Sequence, residues 1–153
     1  MDYVFDVRQV AAQPALFVKR TCKQGEIGAT LGPALAAVGM AMRKLGAKAA
    51  GPPFTRYTAW RDADCDLEAG QTVVNAVQSN DSDVQSGQLG GGQTLHTTHV
   101  GHYDKLREAY EAGARWLASN KREPNGPPWE VYVTDPGEVA NPDDWKTEIF
   151  WPL

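Results

Sequence analysis

Glu130 and Tyr132 are the residues of this chain whose chemistry and spacing most need an explanation. They lie in Gly126-Pro127-Pro128-Trp129-Glu130-Val131-Tyr132. Two prolines cannot sit inside a helix, and they hold the backbone extended; Trp129, Val131 and Tyr132 then have strand character. Alternation along a strand puts Glu130 and Tyr132 on one face and Trp129 and Val131 on the other. The run is otherwise of a buried type, and an unpaired carboxylate is costly to desolvate. Glu130 therefore needs a structural partner, Arg56 or a tyrosine hydroxyl, or it has a task. That task would be counter-charge for a ligand cation, or general base with its pKa raised by burial. Tyr57, Tyr103, Tyr110 and Tyr132 can stack on a flat ligand, with cation–π contacts of ~0.5–2 kcal/mol each, or fill the core with hydroxyls satisfied. Trp129 and Trp151 read as packing.

Other candidates carry less. Three positions along a strand reverse the face, so His99 opposes His96, and His96 and His102 would be roughly 20 Å apart on a continuous strand. Zinc needs its ligands within ~2.0–2.1 Å of one point, so no metal is expected. Cys22 and Cys65 are too few and too far apart in sequence for a zinc motif or a disulfide framework, and read as small buried hydrophobes. Gly90-Gly91-Gly92 lacks the Lys-Ser/Thr of a phosphate loop. No nucleophile elbow or cysteine–histidine pairing is readable, and no cofactor is implied.

The GPP stretch has an echo. Gly51-Pro52-Pro53-Phe54-Thr55-Arg56-Tyr57 repeats its shape, with Thr55 in the place of Glu130 and Tyr57 in that of Tyr132. Each copy follows a helix-like segment, Glu26 to Gly46 and Tyr103 to Asn120. A repeated supersecondary unit indicates internal duplication. The first helix carries Ile27, Leu31, Leu35, Val38, Met42 and Leu45 on one stripe, and Pro33 either kinks it or opens its regular part. The second carries Tyr103, Leu106, Tyr110, Gly113 and Leu117, flanked by charge. Strands are expected over Asp6 to Val10, Ala15 to Cys22, Gly51 to Trp60, Asp64 to Val77 with a break near Glu68-Ala69-Gly70, Thr94 to Val100, Trp129 to Thr134 and Lys146 to Trp151.

These elements predict one α+β domain over residues 1–153. It is built of duplicated strand-helix-strand-strand modules, in halves of about 1–77 and 94–153, joined by a polar, glycine-rich linker over 78–93. An antiparallel sheet would carry two helices on one face around a central ligand cleft. There Thr55, Tyr57, Glu130 and Tyr132 would converge, with Glu148 and Phe150 alongside. The 153 residues carry a net charge of −4, 42% hydrophobic content and five tryptophans, enough for a sizeable core. No basic stripe suggests direct nucleic-acid binding. No apolar run approaches the ~20 residues of a membrane span, and the N-terminus lacks signal-peptide order, so no membrane partner and a cytoplasmic location are expected.

His99-Val100-Gly101-His102-Tyr103, Leu106, Tyr110, GPPWEVY, Thr134-Asp135-Pro136 and Thr147-Glu148-Ile149-Phe150-Trp151-Pro152-Leu153 together resemble the GyrI-like small-molecule-binding domain. The same domain is the effector-binding part of multidrug-sensing transcription regulators. The resemblance spans nearly the whole chain and implies a fold of two strand-helix-strand-strand modules. It implies a cleft for amphipathic, often cationic, aromatic compounds, with the family's central glutamate on Glu130 and a second acid on Glu148. Ligand-binding positions would be Thr55, Tyr57, Tyr103, Tyr110, Glu130, Tyr132, Glu148 and Phe150. Some stand-alone members are similar to hydrolases that open strained cyclopropane rings of DNA-alkylating compounds, which would make Glu130, Tyr132 and Tyr57 catalytic. Others protect DNA gyrase, so gyrase or a regulator is a partner by analogy. With no DNA-reading domain ahead of its first strand, the chain resembles the stand-alone members. His102 stands where proline is usual, and the 78–93 linker is unusually polar.

Overall fold

Alternation and helical periodicity resolve into eight strands and two α-helices in the computed structural model, which describes residues 2–153. The strands are β1 (Asp6–Val10), β2 (Gln13–Lys23), β3 (Ala49–Trp60), β4 (Asp64–Val73), β5 (Gln85–Leu89), β6 (Gly92–Val100), β7 (Trp129–Tyr132) and β8 (Lys146–Pro152). The helices are α1 (Ile27–Leu45) and α2 (Leu106–Ser119), each entered through a 3-10 turn, Gln24–Glu26 and Tyr103–Lys105. The class is α+β, and the strand pairs within each unit described below are antiparallel.

The chain divides into two compact units, Ala11–Gly91 and the residues up to Val10 together with Gly92–Leu153. In the first, strands run in the order β3-β4-β2-β5, and in the second β7-β8-β6-β1. The registers match residue for residue. Thr55 faces Ala69 as Glu130 faces Ile149, and Tyr57 faces Leu67 as Tyr132 faces Thr147. The duplication therefore extends to strand register. It also has a twist of connectivity: β1 pairs with β6, not with the β2 it precedes, and β5 pairs with β2, not with the β6 it precedes. Each repeat is completed by the strand that leads into the other.

Two expectations need correction. The stretch over 78–93 is not only a linker, because Gln85–Leu89 forms β5 against β2. Nor is β4 broken at Glu68-Ala69-Gly70, which are buried mid-strand; Gly70 is there because the β2 backbone at Leu16 and Phe17 lies too close for a side chain.

In the Ala11–Gly91 unit, α1 buries Ala34, Val38 and Ala41 against Leu16, Val18, Cys65, Leu67, Ala69 and Val73. The helix runs through Pro33, whose missing N–H leaves the Ala29 carbonyl without its helical donor on an exposed face. It ends at Gly46, whose φ of 67° is the left-handed stop. Within the 22 residues Gln24–Leu45, an 18-residue window has a mean hydropathy of 1.2, so the helix is long and apolar enough by composition to cross a bilayer. The sequence expectation overlooked this because glycine, alanine and proline dilute its larger side chains. In the second unit, α2 packs Ala109 and Leu117 on Leu95, Ile149 and Trp151.

Candidate functional site

β7 is short, and its pleat does what the sequence requires of it: Glu130 and Tyr132 share a face, and the Tyr132 hydroxyl donates to Glu130 Oε1 at 3.0 Å. Helix α2 crosses that same face and brings Tyr110, whose hydroxyl donates to Oε2 at 2.7 Å. Glu130 is 4% exposed, and no Lys, Arg or His pairs with it among the described residues. Arg56, the other expected partner, binds Glu68 at 2.7 Å instead. Burial pushes the Glu130 carboxyl above its ordinary value, and the two phenol hydrogen bonds only partly offset this.

Tyr103, in the turn ahead of α2, lies edge-on to Tyr132 with ring centroids 5.7 Å apart, and 4.8 Å from Trp145. Burial, then the charges of Asp135 and Glu130, raises its hydroxyl pKa. Trp145 also stacks on His102 at 5.3 Å and donates its indole N–H to the Val139 carbonyl at 2.7 Å. Glu130, Tyr110, Tyr132, Tyr103 and Trp145 thus form one acid beside a wall of four aromatic rings, within a single unit.

Trp145 was not foreseen. It precedes β8 without periodicity, and only its indole chemistry could have marked it. Thr147 was also missed: it stands opposite Tyr132 and His99 in register, fully buried, and its hydroxyl has no hydrogen-bond partner among the described residues. His99 Nε2 lies 3.1 Å from the His102 carbonyl, so Nε2 bears the proton and Nδ1 accepts from Tyr3 at 2.8 Å.

Glu148 and Phe150 are not beside Glu130, contrary to expectation. In register Glu130 faces Ile149, which puts its neighbours 148 and 150 on the opposite face of β8. There Phe150 stacks on Trp129 (5.0 Å, 11°) and His96 bridges Glu148 at 3.1 Å and Asp6 at 2.8 Å. Thr55 and Tyr57 belong to the Ala11–Gly91 unit. Thr55 is fully buried, and Tyr57 meets Trp60 edge-on at 5.6 Å. Among the described residues, no three His, Cys, Asp or Glu side chains are placed to hold a metal ion.

The sequence profile of a family described as the GyrI-like small molecule binding domain matches residues 4–153. No curated protein matches the sequence. Among solved structures, the EcmrR C-terminal domain has the same fold, with a TM-score of 0.88 at 20% identity, covering 99% of this chain and 98% of that one. The chain spans only 57% of the EcmrR chain seen in complex with DNA. SAV2435 bound to tetraphenylphosphonium aligns with a TM-score of 0.69 at 15% identity, over 99% of this chain and 93% of that one. A hydrolase from Listeria innocua aligns with a TM-score of 0.66 at 16% identity, over 97% and 90%. At such identities these likenesses concern the fold.

Proposed function

The chain belongs to the GyrI-like small-molecule-binding family, and from that premise we propose that it binds amphipathic aromatic cations at Glu130. One observation carries the proposal: a buried carboxylate held by two neutral phenols and no cation. A carboxylate in that setting lacks charge compensation, which a ligand cation would supply. Tyr103, Tyr110, Tyr132 and Trp145 supply apolar area and ring faces, so affinity would come from surface removed from water at about 25 cal/mol per Å². Such walls fix charge and planarity more than shape, and broad selectivity among cations with rejection of anions follows.

Titration calorimetry with tetraphenylphosphonium tests this reading. Glu130→Gln should weaken binding tenfold or more, about 1.4 kcal/mol. Because the Glu130 pKa is raised, a cation must bind the ionised form at the expense of its proton. Affinity should therefore rise with pH in the native protein and stay flat in Glu130→Gln. Equal affinity of the two proteins at every pH would overturn the proposal.

The raised carboxyl beside a phenol also favours a second reading, hydrolysis of a strained electrophile. Glu130 would deprotonate water while the Tyr132 hydroxyl stabilises the developing oxyanion. More than one equivalent of ring-opened product per chain from a cyclopropane-bearing alkylator would establish turnover. A single equivalent or none would leave binding alone.

A further inference from the structure

Cys22 and Cys65, distant in sequence, stand directly opposite each other in the β2–β4 ladder. Directly opposed residues of antiparallel strands have Cα atoms about 4.5–5.5 Å apart with both side chains on one face, and a disulfide accepts roughly 4.4–6.8 Å. Both side chains enter the core beneath α1, and both thiols are free. The surrounding corner is held fast. Thr21 donates to Asp66 at 2.7 Å, Arg61 clamps Asp64 at 2.5 Å and Asp66 at 2.6 Å, and the Gln24 N–H reaches the Ala63 carbonyl at 3.1 Å. The pair is thus pre-aligned, with Cys22 half-buried and Cys65 fully enclosed.

We propose that Cys22 and Cys65 are a modification site, a dithiol that converts reversibly to a cross-strand disulfide by exchange with a small disulfide such as oxidised glutathione. The Cys22 thiolate, the one solvent reaches, attacks one sulfur of the oxidant and expels one glutathione thiolate. Cys65 then gives its proton to solvent base, and its sulfur attacks Cys22 Sγ, expelling the second glutathione thiolate. Two protein thiols are oxidised by two electrons, and one disulfide is reduced to two thiols. Burial foremost, then the neighbouring Cys22, pushes the Cys65 thiol up to about 11. The closing step is therefore slow at neutral pH and accelerates in mild alkali. The bond would join the C-terminal end of β2 to β4, closing a loop that contains all of α1 and β3. Restricting so long a loop in the unfolded chain stabilises the fold.

The full chain is incubated with oxidised glutathione at neutral and mildly alkaline pH, remaining thiols are alkylated after unfolding, and the intact mass is read. Both thiols should be lost with no glutathione retained, faster in alkali, and Tm should rise by several degrees in a way dithiothreitol reverses. Cys65→Ser should trap a stable glutathione adduct on Cys22, the product of the first step alone. Cys22→Ser should leave Cys65 reduced. Two alkylatable thiols in the treated native chain, or a glutathione adduct that persists there as in Cys65→Ser, would overturn the proposal.

Discussion

The two units share strand order and register, yet they treat a buried acid differently: Glu68 in one is paired with Arg56, whereas Glu130 in the other rests on two phenols. Thr55 occupies in the Ala11–Gly91 unit the place that Glu130 occupies in its counterpart, and both are buried. The helices differ in the same sense. α1 has no charged residue from Ile27 to Met42, whereas α2 shows Arg107, Glu108, Glu111 and Arg115 on its outer side. Beneath α1 lies a tightly packed aliphatic layer, and beneath α2 lie a carboxylate, phenols, a buried histidine and an orphan threonine hydroxyl. Of two similar frames, one is spent on packing and the other on polar groups that packing alone would not select.

Making the first unit resemble the second should be the most damaging change. Thr55→Glu places a carboxylate in a fully enclosed site, and a loss of ~3–5 kcal/mol is expected in urea denaturation, the scale of an uncompensated buried charge. Gly70→Ala comes next. A Cβ there would lie 2.2 Å from the Leu16 carbonyl oxygen and 2.7 Å from Phe17 Cβ, so the β2–β4 spacing must give, at a cost of roughly 1–3 kcal/mol.

A smaller, pH-dependent effect comes from His96, which stands where Phe17 stands in the other unit. Asp6 and Arg8 from β1 and Glu148 from β8 surround it. Burial lowers the His96 pKa, but the hydrogen bonds to Glu148 and Asp6 outweigh it and the net shift is upward from 6.5. Its contribution is full below that value and fades as pH rises through the folded pKa. Asp6, bound by Arg8 and His96, and Glu148, bound by His96, are lowered from 3.8 and 4.5. Their contribution is present above those values and is lost as pH falls through the folded ones. The clasp on β1 should thus be strongest between about pH 4.5 and 6.5. Amide exchange of β1 against pH should show a minimum in that window that His96→Phe abolishes. The smallest effect is expected on the outer side of α1: Met40→Lys, at 53% exposure, should shift the urea midpoint by no more than ~0.5 kcal/mol equivalent.

Much of this was readable from residues alone. Both helices, the two GPP strands and the Glu130–Tyr132 pairing follow from proline placement and from periods of 3.6 and 2. β5 was hidden because Gln85, Ser86, Gly87 and Gln88 carry no apolar alternation, as an edge strand can afford. The true neighbours of Glu148 and the meeting of Cys22 with Cys65 depend on register, a property of two strands at once that neither displays by itself. Tyr110 was visible on a helix face, but which strand that face would meet was not. Trp145 had no local signal at all.

The exchange of edge strands has a consequence for how the polypeptide is made. Asp6 must find His96, 90 positions later, whereas every strand of the Ala11–Gly91 unit is already out once Gly91 is synthesised. On a ribosome the inner repeat can close while β1 waits with its hydrogen-bonding edges bare. β1, made before the inner repeat, is then among the last strands to dock, and the nascent chain carries a bare strand edge until β6 emerges.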